Sequence, residues 1–211
     1  MPVKPDRQYR RIDVKNLETR QEGDQMIVEG YASTFGQPYL LYEDQGIRVL
    51  EEISPRAFDD CDMSDVIMQY DHQGRVFART RNGTLSVTQD EHGLFIRAYL
   101  GGTQIGRQLF EEIQGGYTDR MSFGFTIASE QEEHITDEDG RTAVLSRITA
   151  VGKLYDVSAV SLPANDATEI SARSRCEGAI ARIMEERHAQ AERQRKLKLI
   201  QIKLKNGGKN L

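Results

Sequence analysis

Residues 121–127 read MSFGFTI, and this stretch decides the fold class. Successive side chains of a β strand point to opposite faces, so the large apolar residues at positions 121, 123, 125 and 127 share one face. That face is suited to a core, whereas the other face carries the small residues Ser122, Gly124 and Thr126. We predict a strand over 121–128 whose small face lets a substrate backbone approach the Ser122 hydroxyl. By pattern alone, an ordinary half-buried strand with its serine facing water is the simpler interpretation.

The sequence around this stretch also favours strands. Short runs rich in β-branched and aromatic residues lie at 26–35, 48–53, 66–70, 84–87, 94–100, 143–154 and 156–162. Helices are predicted at 54–58, which Ser54 and Pro55 open, and at 103–114, where apolar residues recur every four positions. Asn82-Gly83 predicts a hairpin turn, and the acidic residues 129–142 predict a connection. Many short strands with few helices favour a compact, mostly antiparallel β-barrel or sandwich with embedded helices.

The distribution of charge divides the chain. We expect a polar N-terminal segment (1–25), a β domain (26–172) and a basic helical tail (173–211). The tail carries eleven Lys and Arg against four Glu, a net charge of +7, which leaves −12 on the preceding 172 residues. An acidic body with a basic tail suggests two functionally separate parts. A solvated helix with favourable charge balance within the chain is the alternative.

Composition excludes several classes of protein. An apolar fraction of 38% with 29% charged residues is typical of a soluble globular protein. No apolar run approaches the roughly 20 residues that span a bilayer, and no apolar signal segment follows the basic N-terminus. The two cysteines, Cys61 and Cys176, lack metal-type spacing, so a disulfide framework or a zinc ribbon is not expected. We expect no cofactor, no metal and a cytoplasmic setting.

A serine becomes a nucleophile when a neighbouring base takes its proton, so the four histidines are candidates for that base. His188 lies in the basic tail, His134 in the acidic connection and His92 in a turn, where surface roles are expected. His72 differs because it ends the strand at 66–70 and can project its ring into a cleft. Its imidazole can accept the serine proton and return it to a leaving amine.

A third group must hold the imidazole tautomer and stabilise its charged form. Asp156 stands out as a carboxylate inside the otherwise apolar run 154–160, where a charge should have a partner. A structural salt bridge or a turn aspartate is the alternative interpretation of this residue. Composition alone does not choose between them, since acidic residues are common in the chain.

Five segments in register resemble the HK97-family phage prohead proteases, a likeness that extends from Val28 to Ala167. They are Glu29–Gly36, Ile53–Phe58, Tyr70–His72, Gly116–Phe125 and Tyr155–Ala167. The resemblance places the family's catalytic histidine at His72, its serine at Ser122 and its third member at Asp156. The family usually has glutamate at the third position. Because aspartate is one methylene shorter, His72 must sit closer or another group must orient it.

The resemblance implies a fold similar to that of the herpesvirus assembly proteases, a β-barrel surrounded by helices, and a homodimer or higher self-assembly. It implies a serine endopeptidase that acts inside the procapsid, in the host cytoplasm. The implied substrates are the scaffold protein or the N-terminal scaffolding segment of the major capsid protein, and the protease itself. The tail is then a targeting segment or a propeptide. Neither a membrane nor a nucleic acid is expected as a partner.

Three other functions fit parts of the sequence. The first is a non-catalytic capsid-assembly or scaffolding protein that retains the protease fold and works through its tail. The second is a metallohydrolase using His72, His92 and His134, although the chain lacks H-E-x-x-H or similar spacing. The third is a β-barrel binding module without an active site. Candidate oxyanion donors are backbone N–H groups near Gly152-Lys153 or near Arg120.

Overall fold

The computed structural model describes residues 7–12, 17–23, 25–137, 139–161 and 166–207. The strands in these ranges are β1 (Gln8–Ile12), β2 (Leu17–Glu22), β3 (Gln25–Thr34), β4 (Tyr39–Asp44), β5 (Ile47–Ile53), β6 (Ile67–Tyr70), β7 (Gln73–Arg79), β8 (Leu85–Gln89), β9 (Gly93–Tyr99), β10 (Arg120–Thr136) and β11 (Thr142–Val160). The helices are α1 (Gln104–Gln114) and α2 (Asp166–Gly207), with a 3-10 turn at Thr80–Asn82. The predicted class, mostly β with embedded helices and a C-terminal helical tail, is confirmed.

The strands form two sheets, and the long strand β11 organises the larger one. Its seven strands follow the order β1-β10-β11-β5-β4, and β6 and β7 extend it from β11. Residues 143–148 of β11 pair in parallel with β5, whereas residues 156–159 pair in parallel with β6. The second sheet has the order β2-β3-β9-β8. Antiparallel pairs predominate in both sheets, as the sequence predicts.

One apolar core joins the two sheets and α1. The side chains at positions 121, 123 and 125 are at most 1% exposed, and the rings of Phe123 and Phe125 stack 4.6 Å apart. Burial of each such side chain contributes about 1.5–3 kcal/mol. The apolar face of residues 121–127 therefore lies in the core, as predicted, and this fixes which face of β10 carries Ser122.

Two local predictions are wrong in their details. Residues 55–60 form successive turns in place of the helix expected at 54–58. The Ala57 carbonyl accepts a hydrogen bond from Val151 N (2.7 Å), so it is engaged by β11 and not by a following helical turn. The expected hairpin at Asn82-Gly83 is also absent, because β7 and β8 belong to different sheets. Gly83 instead ends the 3-10 turn with a φ of +73°.

The acidic stretch 129–142 is mostly strand and not the predicted connection. β10 continues to Thr136, and a short turn held by the hydrogen bond from Asp137 N to Arg141 O (2.9 Å) leads into β11. The strand tolerates this charge because residues 131–134 are exposed to solvent. The guanidinium group of Arg48 also pairs with the Asp137 carboxylate at 2.7 Å. A hydrophobic pattern cannot reveal a strand with two polar faces.

The N-terminal segment supplies a strand to each sheet. β1 pairs antiparallel with β10, so that Tyr9 lies opposite Gly124 and Arg11 lies opposite Ser122. β2 pairs antiparallel with β3. The polar segment expected at 1–25 thus contributes to the same sheets as the domain expected at 26–172.

The C-terminal tail is helical, as predicted, and belongs to α2, which spans Asp166–Gly207. Its first half packs on the larger sheet through a second apolar cluster, which contains Cys176, Ala179, Ile180 and Ile183 of α2 and Tyr42, Ile47, Val49 and Val144 of the strands. Residues 188–201 are exposed. The Pro163-Ala164-Asn165 turn, which the resemblance includes, lies outside the described residues.

Candidate active site

Ser122 lies on the face of β10 that is turned away from the core. Its neighbour on β11 is Ser158, and Gly124 lies opposite Asp156 on the same pair of strands. The alternation of the strands therefore places all four residues on one face of the sheet. Ser122 is 4% exposed, so its hydroxyl lies just beneath the surface.

His72 lies in a two-residue turn between β6 and β7, where Tyr70 pairs with Gln73. Asp71 and His72 have φ values of +46° and +59°, as a type I′ hairpin requires. Glycine and asparagine usually occupy such positions, and other residues there mark a constrained backbone. The turn is tied to β11 by the hydrogen bond from Asp71 N to Ala159 O (3.0 Å). This tie directs the imidazole over the sheet face that carries Ser122.

The Asp156 carboxylate is fully buried and has three partners. Its Oδ1 lies 2.5 Å from His72 Nδ1 and accepts a hydrogen bond from Ser158 Oγ at 2.8 Å. Its Oδ2 accepts a hydrogen bond from the Arg7 guanidinium, with which it forms an ion pair. The sequence shows no partner for the Asp156 carboxylate, but the fold brings a partner to each of its two oxygens.

The partners of Asp156 determine its ionisation. Burial raises the pKa of this carboxyl, because an ionised group loses its hydration. The hydrogen bond from His72 and the positive charges of His72 and Arg7 act in the opposite direction. Together with the Ser158 hydroxyl, they hold the pKa of Asp156 below its ordinary value. The carboxylate is therefore ionised at neutral pH.

His72 connects the carboxylate to the serine. Its Nε2 lies 2.5 Å from Ser122 Oγ, while its Nδ1 faces Asp156. The structure therefore brings all three predicted residues into one hydrogen-bonded chain. In such a chain the imidazole can take the proton of a serine as the hydroxyl attacks a carbonyl. The shorter aspartate side chain reaches Nδ1 directly, at 2.5 Å.

Two further residues at the site, Arg7 and Tyr9, were missed by the sequence analysis. The Tyr9 ring packs against the His72 ring with a centroid distance of 4.4 Å. The Arg7 guanidinium lies over the Tyr155 ring, 4.5 Å from its centroid. In the sequence both residues stand in a short, polar and basic N-terminus without a chemical motif. Residues 8–12 read QYRRI and do not alternate between apolar and polar side chains, so the pattern gives no sign of a strand there.

Gly124 has a different role from the one predicted. A Cβ atom at this position would lie 2.3 Å from Asp156 Oδ2 and 3.0 Å from the Arg7 guanidinium. The space beside Gly124 is therefore filled by the ion pair and does not admit a substrate backbone. The smallness of this face makes room for the Asp156 carboxylate, which contacts His72 Nδ1.

The other candidate residues lie elsewhere. His92, His134 and His188 are exposed, as predicted. Lys153 pairs with Thr126, four residues along β10 from Ser122, which is roughly 13 Å at strand spacing. The backbone near Gly152-Lys153 is therefore too far from Ser122 to serve as an oxyanion hole. Arg120 begins β10 two residues before Ser122, so donors near it stay a prediction.

The described residues include neither a metal-binding cluster nor a membrane-spanning helix. They contain no cluster of three or more His, Cys, Asp or Glu side chains arranged to hold a metal ion. Within the same ranges, neither helix has the length and apolar character needed to cross a membrane.

Comparison with known proteins gives a family match over most of the chain. The profile of a family described as the caudovirus prohead serine proteases matches residues 12–181, a range that contains His72, Ser122 and Asp156. Among solved structures, the capsid assembly protease of bacteriophage T4 aligns with a TM-score of 0.36 and 11% identity. That alignment covers 75% of this chain and 99% of the T4 chain. No curated protein matches the chain.

Proposed function

Since the chain belongs to the caudovirus prohead serine protease family, we propose that it hydrolyses peptide bonds with Ser122 as nucleophile, His72 as general base and Asp156 as the group that orients His72. The observation that carries this proposal is the position of His72 between two partners. Its two ring nitrogens lie 2.5 Å from Ser122 Oγ and 2.5 Å from Asp156 Oδ1. The same arrangement supports an enzyme over a scaffolding protein that only retains the fold.

The proposed reaction proceeds in two halves. His72 Nε2 takes the Ser122 proton as Oγ bonds to the scissile carbonyl carbon, and the imidazolium formed is stabilised by Asp156. His72 then returns the proton to the leaving amine, the C–N bond breaks, and an acyl-enzyme remains. A water molecule, deprotonated by His72, attacks the ester carbonyl carbon. Ser122 Oγ then leaves and takes the proton back from His72.

We propose that the substrates are the scaffold protein or the N-terminal scaffolding segment of the major capsid protein, and the protease itself. Membership in the prohead serine protease family supports the proposal that the chain acts inside the procapsid. A homodimer or higher self-assembly is part of the same proposal. Residues 188–201 of α2 are exposed, and the sequence of residues 189–211 carries seven Lys and Arg against one Glu, which supports a role in docking. This segment would bind an acidic surface of the scaffold or of the capsid interior.

The test is cleavage in cells that co-express the chain with the major capsid protein of the same phage, read by mass spectrometry of both proteins. The wild-type chain is expected to yield shortened products, whereas Ser122→Ala yields full-length proteins because the nucleophile is absent. Ser86→Ala, an exposed serine on β8, is the matched control and should cleave like the wild type. Identical products from the wild type and Ser122→Ala would contradict the assignment.

A further inference from the structure

The second oxygen of Asp156 has a partner that the proposed triad does not require. Oδ1 contacts His72 and Ser158, whereas Oδ2 is held by the Arg7 guanidinium. Rotation about the Cβ–Cγ bond moves both carboxylate oxygens together, so a partner on Oδ2 adds to the restraint on Oδ1. With both oxygens fixed, its orientation toward Nδ1 is defined, and a guanidinium group supplies the planar geometry for this purpose.

Arg7 is itself held in place by its surroundings. Its guanidinium lies between the Tyr155 ring at 4.5 Å and the Tyr9 ring at 5.3 Å, and cation–π contacts of this kind restrain it. Its side chain is 23% exposed, so solvent screens it only in part. The missing side chain at Gly124 leaves the space through which it reaches Asp156.

The strand that follows Arg7 is anchored on its opposite face. The buried Arg10 guanidinium forms an ion pair with the buried Glu51 carboxylate. One of its hydrogen bonds runs from Arg10 Nη2 to Glu51 Oε2 at 2.8 Å. The Tyr39 hydroxyl also donates to Glu51. β1 is thus fixed to β10 by backbone pairing and to β5 through Arg10, which holds the segment leading to Arg7 beside the site.

We propose that Arg7 is a positioning residue of this active site, which fixes the Asp156 carboxylate against His72 Nδ1 and offsets part of the negative charge that His72 faces. The inference rests on the proposed function. Arg7 lies outside the matched residues 12–181, so the family match does not assign it a role.

The charge of Arg7 has a consequence for pH dependence. His72 contacts Asp156 of β11, Ser122 of β10 and the Tyr9 ring of β1, whereas Ser158 and Arg7 contact the Asp156 carboxylate and Asp71 precedes His72 in its turn. Removal of Arg7 leaves the Asp156 charge less compensated, which favours the imidazolium form. The acid limb of the activity profile should then move to higher pH.

The test is the rate of labelling by a fluorescent fluorophosphonate as a function of pH, which needs no knowledge of the natural substrate. In this reaction a bond forms between Ser122 Oγ and phosphorus, the P–F bond breaks, fluoride leaves and His72 Nε2 takes the hydroxyl proton. Arg7→Gln removes the charge, whereas Arg7→Lys retains it. Arg56→Gln changes an exposed arginine far along the chain from these residues and is the matched control.

The expected result is slower labelling of Arg7→Gln with its acid limb displaced upward, and an acid limb near the wild-type position for Arg7→Lys and Arg56→Gln. Circular dichroism checks folding, and Arg7→Met, which keeps the apolar stem over Tyr155, replaces a glutamine variant that fails to fold. An unmoved acid limb in the folded variant, or faster labelling at every pH, overturns the inference. Labelling of Ser122→Ala at the wild-type rate would instead overturn the proposed function.

Discussion

Asp71 and His72 hold the proposed base in position at a cost in backbone energy. A positive φ at a residue other than glycine costs about 1–3 kcal/mol, and here two such residues are adjacent. Hydrogen bonds to β11 offset this cost, including the one from Ser161 N to Asp71 Oδ1 at 3.3 Å. The sequence indicates that a strand ends just before His72, and this distinguishes His72 from the other three histidines as the candidate base. The positive φ of His72 depends on how the turn packs in the folded chain, so the sequence alone does not predict it.

Gly124 provides a test of how tightly the ion pair is packed. Gly124→Ala would place a Cβ atom 2.3 Å from Asp156 Oδ2, so the carboxylate or β10 must shift. We expect a loss of about 1–3 kcal/mol in the free energy of unfolding, typical of overpacking at a buried site, together with slower fluorophosphonate labelling. Urea unfolding and the labelling rate measure the two effects.

Gly102→Ala is the control for that substitution. Its added Cβ would lie 3.7 Å from the nearest atom, Tyr99 Cε1, which is an ordinary contact. This variant should match the wild type in stability and in labelling rate. A Gly124→Ala variant that behaves in the same way would show that the space beside Asp156 is larger than the structure indicates.

At the scale of the elements, β1 depends on a buried ion pair. Arg10 is 2% exposed and Glu51 is fully buried, so removal of one partner leaves an uncompensated charge in the core. Arg10→Met should lower the free energy of unfolding by about 3–5 kcal/mol. The double variant Arg10→Met/Glu51→Leu should lose less than Arg10→Met alone, because no buried charge remains. Urea unfolding of the three proteins measures this, and a larger loss in the double variant would contradict the account.

Elements with one apolar face could be predicted from the sequence, and elements with two polar faces could not. The alternation at 121–127 predicts the core face of β10, and the apolar spacing of 103–114 predicts α1. The second half of β10 and β1 are rich in polar residues, so no apolar alternation marks either of them as a strand. Arg10 with Glu51 and Arg48 with Asp137 are pairings that only the fold brings together.

The same distinction holds for the site. Ser122, His72 and Asp156 each have a local sign in the sequence, namely a small face, a strand end and a charge in an apolar run. Ordered family motifs connected the three, and their roles as a triad stay a prediction for the Ser122→Ala experiment. Arg7 has no local sign, since its importance lies in one contact across the sheet.

At the scale of the whole molecule, α2 divides into a docked part and an exposed part. Ile180 and Ile183 pack on β4 and β5, and each buried isoleucine contributes about 1.5–3 kcal/mol. A chain that ends at residue 175 should therefore lose about 3–6 kcal/mol in the free energy of unfolding, measured in urea. A chain that ends at residue 187 keeps these contacts and should retain wild-type stability and labelling. Equal stability of the two truncations would show that α2 does not support the domain.

The distances along the chain between the residues of the site determine when it can form. His72 and Ser122 are 50 positions apart, His72 and Asp156 are 84 apart, and Arg7 and Asp156 are 149 apart. Contacts between such distant residues form late, because the entropy of closing long loops opposes them. During synthesis on a ribosome, Arg7 is made first and can pair with Asp156 only after nearly the whole domain has been synthesised. On the proposed mechanism, Ser122 therefore has no activating base during translation, and neighbouring nascent chains are not cleaved until folding is complete.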